Sequence, residues 1–301
     1  MTLTRFSMAI AALTFALPAS AATLTANCDT LGTVLAKAKG GDTVNLSGEC
    51  GETTLRNKFP RQVTINAAKA KVKGLRIYGE NITWLGGVLL APEGLDGPGP
   101  NGYAVTIRNA QNIRLADALL TDANRGIVML DSRNVKIEDN RFWRLRADGI
   151  IATGSENVGI DRNRFSESLP LPTVCTMSDG SIINGVAKRD CKGKWRDGTH
   201  PDWMQLYNGM KNVRVRWNYI VGEAHGVTTF GNGAPVEDLL VANNYVASSS
   251  YHQISTPNCI RCSITFNKVR RGTQDRKATI KGADAARCGN DVQDERSDGK
   301  C

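Results

Sequence analysis

Asn134-Val-Lys-Ile-Glu-Asp-Asn140-Arg-Phe142 is the stretch that decides the fold. Two asparagines stand six residues apart, an apolar-x-apolar pair lies between them, and an apolar or aromatic residue follows. Asn157-Val-Gly-Ile-Asp-Arg-Asn163-Arg-Phe165 repeats the pattern 23 residues later. Asn212-Val-Arg-Val-Arg-Trp-Asn218-Tyr-Ile220, Asp238-Leu-Leu-Val-Ala-Asn-Asn244-Tyr-Val246 and Arg261-Cys-Ser-Ile-Thr-Phe-Asn267-Lys-Val269 repeat it again. Asn112-Ile-Arg-Leu115, Asn81-Ile-Thr-Trp84 and Gln62-Val-Thr-Ile65 are weaker, earlier copies. The alternation inside each unit is strand periodicity. No unit can bury its apolar face alone, but stacked units share one core. A repeat of this length leaves no room for a crossover helix. The pattern therefore predicts an all-β chain, a single-stranded right-handed parallel β-helix with one coil per unit. The second Asn of each unit is expected to stack as a ladder at a tight turn, where Asn tolerates the left-handed conformation and bonds its own backbone.

The ends need caps. Asp29 to Lys39 reads as a short amphipathic helix with Leu31, Val34, Leu35 and Ala38 on one face, stopped by Gly40-Gly41. The expected layout is a cap over 28–50, coils over about 60–271 and a capping tail over 272–301. Ahead of these, Arg5, the apolar run Phe6 to Leu17 and the small residues Ala19-Ser20-Ala21 read as a signal peptide over 1–21. The domain then covers 22–301, no stretch suits a membrane span, and a periplasmic or secreted protein, monomeric, is expected.

Eight cysteines fit an oxidising compartment. Cys28 with Cys50 and Cys175 with Cys191 are the expected local pairs. The pairing of Cys259, Cys262, Cys288 and Cys301 stays open. Cys259-x-x-Cys262 lacks the second pair or nearby histidines that a metal site would need, so it reads as structural. Lys and Arg number 38 against 29 Asp and Glu, a formal charge of +9. That surplus favours a polyanionic partner, and in this compartment an acidic polysaccharide fits better than nucleic acid.

The repeat also aligns residues outside the unit. Nine positions before each first Asn stand Tyr103, Arg125 and Asp148, and with small register adjustments Asp202, His225 and His252. Two residues after each comes Val105, Ile127, Ile150, Met204, Val227 or Ile254, all apolar. Successive coils lie about 4.8 Å apart. One edge of one sheet would thus carry acids beside histidines, close enough to perturb one another and to exchange protons. His200, the third histidine, lies two residues before Asp202.

The repeat is interrupted between Asn157 and Asn212. Ser166 to Thr199 reads as a long loop stapled by Cys175 and Cys191, entering the same face just before Asp202. A degenerate coil hidden in it would separate Asp148 from Asp202. The loop carries Lys188, Arg189, Lys192, Lys194, Trp195 and Arg196. Its cations would attract uronate carboxylates, and Trp195 or Trp203 could stack on a sugar ring.

The coil pattern and cap helix resemble the pectate-lyase-like superfamily of right-handed parallel β-helices over nearly all of the mature chain. That resemblance implies a polysaccharide lyase, a glycoside hydrolase or a uronate epimerase. Ala147-Asp148-Gly149-Ile150, Pro201-Asp202-Trp203-Met204 and Ala224-His225-Gly226-Val227 echo the polygalacturonase layout of acids on adjacent coils with a histidine one coil on. The chain departs from that layout: it has no Asn-Thr-Asp, no Asp-Asp pair and no Arg-Ile-Lys, and His225 lacks the preceding glycine. His200-Pro201-Asp202-Trp203-Met204-Gln205 is similar to His-x-Asp-x-x-Gln strings in uncharacterised β-helix proteins, which adds Gln205 to the substrate-binding candidates.

Three activities follow as expectations. The first is β-elimination on a uronic-acid polysaccharide. Arg125 or a loop cation would neutralise the carboxylate, His225 or His252 would be the base, and Tyr103 or His200 would assist. The second is glycoside hydrolysis with Asp148 and Asp202 as the carboxylate pair. The third is a non-catalytic carbohydrate-binding or envelope-structural solenoid. Asp148 and Asp202 could alternatively hold Ca²⁺, which takes oxygen ligands.

Overall fold

The computed structural model describes residues 21–301 except 197, 199–200, 232, 274–276, 283–284 and 296–297. The signal peptide reading of 1–21 falls almost wholly outside them. The chain is a right-handed parallel β-helix of about 11 turns. Each turn contributes a strand to as many as three parallel ladders. The first ladder runs from Thr23–Asn27 to Ala285–Cys288 and contains the apolar-x-apolar pairs, with Val135 opposite Ile113 and Val158, and Ile137 opposite Leu115 and Ile160. The second holds the residues after the second Asn, with Phe142 opposite Leu120 and Phe165. The third has nine strands, from Thr53–Leu55 to Ile280–Lys281, and carries the polar column. The ladders extend past the coil span of 60–271 at both ends, because Thr23–Asn27 and Ile280–Val292 also pair in parallel.

Inward residues stack into rows along the axis. Val105, Ile127, Ile150, Met204, Val227 and Ile254 form one row on successive strands. Phe142 and Phe165 stack with ring centres 4.4 Å apart, and Trp203 follows Phe165 at 5.6 Å.

The asparagines divide into two ladders with different roles. Asn140, Asn163, Asn218, Asn244, Asn267 and Asn290 are the second of each unit, and each is no more than 2 % exposed. The Oδ1 of Asn163 accepts the Asn140 backbone N–H and its Nδ2–H; its own Nδ2 donates to the Ile137 carbonyl and to Asn218 Oδ1. The same bonds recur from coil to coil up to Asn290. These amides satisfy backbone groups that the sharp turn leaves without ladder partners. The left-handed backbone falls elsewhere than expected. It belongs to the residue before each buried Asn, from Asp139 through Arg162, Trp217, Asn243 and Phe266 to Gly289, with φ of 55–65°. It also belongs to the first residue of each unit, Asn81, Asn112, Asn134, Asn157, Asn212, Asp238 and Arg261, with φ of 50–60°. Those first asparagines form a second, more exposed amide ladder.

The cap helix is shorter than expected, Leu31–Lys37, with Leu31 and Leu35 buried. It starts on reciprocal bonds between Asn27 and Thr30 and ends at Ala38, which is already extended, ahead of the glycines. Cys28 pairs with Cys50 and Cys175 with Cys191, as expected; Cys259 pairs with Cys262 and Cys288 with Cys301. Among the described residues the long interruption adds no coil. Ile150–Thr153 pairs directly with Met204–Tyr207. Between them a lobe projects, built on an antiparallel sheet of Val174–Thr176, Ile182–Asn184 and Lys194–Arg196.

Asn218→Ala would strand the backbone N–H of Asn163 and the carbonyl of Ile160, both buried partners of its amide. The expected loss is about 1–3 kcal/mol. Asn134→Gly keeps the left-handed turn and removes only two exposed amide contacts, so it is expected to cost less than about 1 kcal/mol. Urea unfolding midpoints of the two variants check the contrast.

Candidate active-site column

The column predicted from the repeat lies on six successive strands or strand entrances of the third ladder. Tyr103 pairs with Arg125 and Asp202 with His225. The Asp148 carbonyl accepts Gly126 N–H, the Asp202 carbonyl accepts Gly149 N–H, and the His252 carbonyl accepts Gly226 N–H. The chain bends at this corner. The column residue faces outward while the next residue turns inward; Gly126, Gly149 and Gly226 fill that position on three coils and Ala104, Trp203 and Gln253 on the others. A Cβ on Gly149 would lie 2.5 Å from the Trp203 carbonyl oxygen.

That bend corrects the reading of Trp203. It occupies the inward position after Asp202, is fully buried against Phe165, and donates its indole N–H to the Val221 carbonyl at 3.0 Å. It is core and cannot stack on a sugar. Gln205 faces out on the same strand, between Ile151 and Thr228 of the adjoining coils. Lys194 and Trp195 lie in the lobe sheet. Trp195 donates to the Val186 carbonyl and has Lys188 over its ring. Arg196 ends that strand, and its side chain, like His200, lies outside the described residues.

Asp148 and Asp202 are each 6 % exposed. Arg125 Nε donates to Asp148 Oδ2 at 2.8 Å, and the Asp202 backbone N–H donates to Asp148 Oδ1 at 3.0 Å. Burial holds the Asp148 carboxyl above the ordinary carboxylate range, against the lowering pull of Arg125 and the Asp202 N–H. Arg125 loses some basicity to burial but gains more from Asp148 and Tyr103, so its charge is held firmly. Its guanidinium lies 5.7 Å from the Tyr103 ring centre.

Further along, Asp202 Oδ1 meets His225 Nδ1 at 3.1 Å and accepts the Thr228 hydroxyl at 3.0 Å. A carboxylate bound to one ring nitrogen fixes the imidazole's orientation and leaves the other nitrogen for proton transfer. The His225 and His252 rings meet edge to face at 4.9 Å, and Phe230 packs against His252 at 4.8 Å. Burial, then His225 and Lys281, push the basicity of His252 down, while Asp202 pulls it up less strongly. Phe230, Thr228 and Lys281 were not found from the sequence. Lys281 is the third-ladder partner of Ser255, one coil beyond the last copy of the repeat.

The carboxylates do not suit Ca²⁺. Both Asp148 oxygens are engaged, one by a guanidinium, and Asp202 Oδ1 already has two partners. Among the described residues no cluster of three or more His, Cys, Asp or Glu could hold a metal ion.

The chain is thus a right-handed parallel β-helix, as the coil pattern predicts. Residues 44–171 match the family model of the periplasmic copper-binding protein NosD. That stretch contains no histidine, and its one cysteine, Cys50, is held by Cys28. No curated protein matches the chain. Similar solved structures include the alginate lyase from Paenibacillus sp. str. FPU-7, at 13 % identity over 93 % of this chain and 98 % of that one, with a TM-score of 0.46. The Streptococcus pneumoniae surface protein and adhesin PfbA aligns at 11 % identity over 85 % and 86 %, with a TM-score of 0.47. Pectate lyase Pel9A aligns at 10 % over 92 % and 79 %, with a TM-score of 0.44. Among the described residues no helix is long and apolar enough to cross a membrane.

The half-buried environment of His252 makes stability depend on pH. Between the lowered native value and the ordinary 6.5, the unfolded chain binds the proton more readily than the native one. Stability therefore rises as the pH is raised up to 6.5 and is lost as it falls below. His252→Gln, which cannot titrate, is expected to flatten that part of the profile, read from urea midpoints between about pH 5 and 8.

Proposed function

We propose that the column acts on a uronic-acid polysaccharide by β-elimination, outside the cytoplasm. The observation that carries this reading is the Asp202–His225 hydrogen bond at 3.1 Å, with His252 on the next coil. It is a base with a fixed orientation and an adjoining imidazole, set on a half-buried edge. His225, through the nitrogen facing away from Asp202, takes the proton from the carbon next to the uronate carboxylate. The bond from the neighbouring carbon to the glycosidic oxygen breaks, a carbon–carbon double bond forms, and the departing oxygen is protonated. His225, protonated by the first step, returns that proton to the departing oxygen, because the lowered basicity of His252 keeps that neighbour neutral.

Distance decides which cation can help. Arg125 lies three coils from His225, about 14 Å at the ordinary strand spacing, and it is committed to Asp148. It cannot neutralise a carboxylate at His225, and Tyr103 is a coil further away. Lys281, whose charge reaches His252, is the better cation for that role. Arg125 and Asp148 then act as a fixed pair that positions Asp202 through its backbone N–H.

One observation favours hydrolysis instead. Asp148, held protonated more readily than usual, lies one coil from Asp202, the pattern of an acid and a base. Its two oxygens already have partners, which weighs against it as a proton donor to substrate.

His225→Ala is expected to lower kcat on an acidic polysaccharide about 10²–10⁴-fold, with KM little changed. Asp202→Asn is expected to lower it less, since the base remains but loses its orienting charge. Ultraviolet absorbance of the unsaturated product, followed together with reducing ends, checks both. Reducing ends without absorbance would mean hydrolysis. Binding with neither signal, across a panel of uronates, would sink the enzymatic reading and leave a binding solenoid.

A further inference from the structure

The first ladder carries a second polar face, remote in the coil from the histidine column. Its outward row runs Thr83, Arg114, Lys136, Gly159 and Arg214 on successive coils. The exposed amide ladder of Asn81, Asn112, Asn134, Asn157 and Asn212 stands alongside. Two hollows, of about 380 and 270 Å³, share Asn134 and Lys136 and join into one groove along the helix axis.

Charge within the groove is uneven. Arg114 is paired with Glu138, and Arg216 with Asp161 at 2.8 Å. Lys136 and Arg214 are exposed and have no ion-pair partner among the described residues. They flank Gly159, which pairs with both. Glycine in the middle of a strand costs stability and needs a reason. Here the backbone supplies none, because Gly159 is absent from the residues with positive φ. Crowding supplies none either: a Cβ would meet only Asp161 Oδ2, at an ordinary 3.5 Å. The missing side chain instead leaves a notch between two uncompensated cations about 10 Å apart, two strand spacings.

We infer that this groove binds an extended anionic glycan lying along the helix axis, with an acidic group of the sugar in the Gly159 notch between Lys136 and Arg214. Amides held at fixed spacing offer both donors and acceptors, which suits sugar hydroxyls. The row contains no aromatic side chain on which nucleic-acid bases could stack. One coil advances the groove by close to the length of a single pyranose residue, so successive sugars meet equivalent amides. The site is separate from the column and holds whether or not the column is catalytic.

The test is calorimetric titration of the mature protein with a hexameric oligogalacturonate and with a neutral hexasaccharide, all in the His225→Ala background to prevent turnover. Gly159→Thr fills the notch with a residue that strands favour. It is expected to weaken oligogalacturonate binding at least tenfold without lowering the melting temperature. Lys136→Ala and Arg214→Ala are each expected to weaken it several-fold and to reduce its salt dependence. The neutral sugar should bind at least tenfold more weakly than the anionic one. Binding that survives Gly159→Thr and is lost in Lys281→Ala would place the glycan on the column and overturn the inference. Equal affinity for both sugars, or duplex DNA binding as tightly per charge, would overturn it too.

Discussion

The buried asparagine ladder is the constraint on which the other features rest. A parallel coil must turn sharply between its first and second strands, and the turn leaves backbone groups pointing where no neighbouring strand can meet them. An amide side chain is both donor and acceptor, so one residue per coil can satisfy the coil below and the coil above. From Asn140 to Asn290 each amide does this with the same geometry, which fixes how far each coil is rotated against the next. Rotation in turn fixes which outward residues align. The histidine column and the cationic groove are both consequences of register held on a different edge of the molecule.

Within the column, burial and pairing separate two halves. Arg125 and Asp148 neutralise each other, so their role ends in the backbone N–H of Asp202 that Asp148 accepts. Asp202, His225 and His252 form the half joined by a carboxylate–imidazole bond and an edge-to-face ring contact. A proton on His252 is disfavoured by its burial and by its neighbour His225, which keeps the imidazole neutral where an ordinary histidine would begin to charge. The separation is set by distance along the axis: neighbours one coil apart couple strongly, and residues three coils apart act independently.

The sequence made most of the architecture legible because a solenoid writes its contacts as a period. Asn-apolar-x-apolar spacing was enough to align Tyr103, Arg125, Asp148, Asp202, His225 and His252, and the apolar partners two residues on supplied a check. What periodicity could not show was local backbone shape. The left-handed residue proved to be the one before the buried Asn, where Arg162, Trp217 and Phe266 are unusual occupants. The bend after each column residue turned Trp203 into the core, although its place beside Asp202 suggested a sugar platform. Phe230 comes from an irregular loop and Lys281 from beyond the last recognisable repeat, so neither had a pattern to betray it.

The placement of the disulfides bears on how such a molecule comes apart. A rod of coils that touch only their neighbours loses structure by peeling from an extremity, since an outermost coil has half the contacts of an inner one. Cys28–Cys50 ties the first coil to its cap, and Cys288–Cys301 ties the last strand of the first ladder to the segment that follows it. Both fraying points are therefore clamped, while among the described residues no disulfide joins the coils that carry the column. Reduction would open the rod from its tips inward, and the middle coils would be the last to unwind.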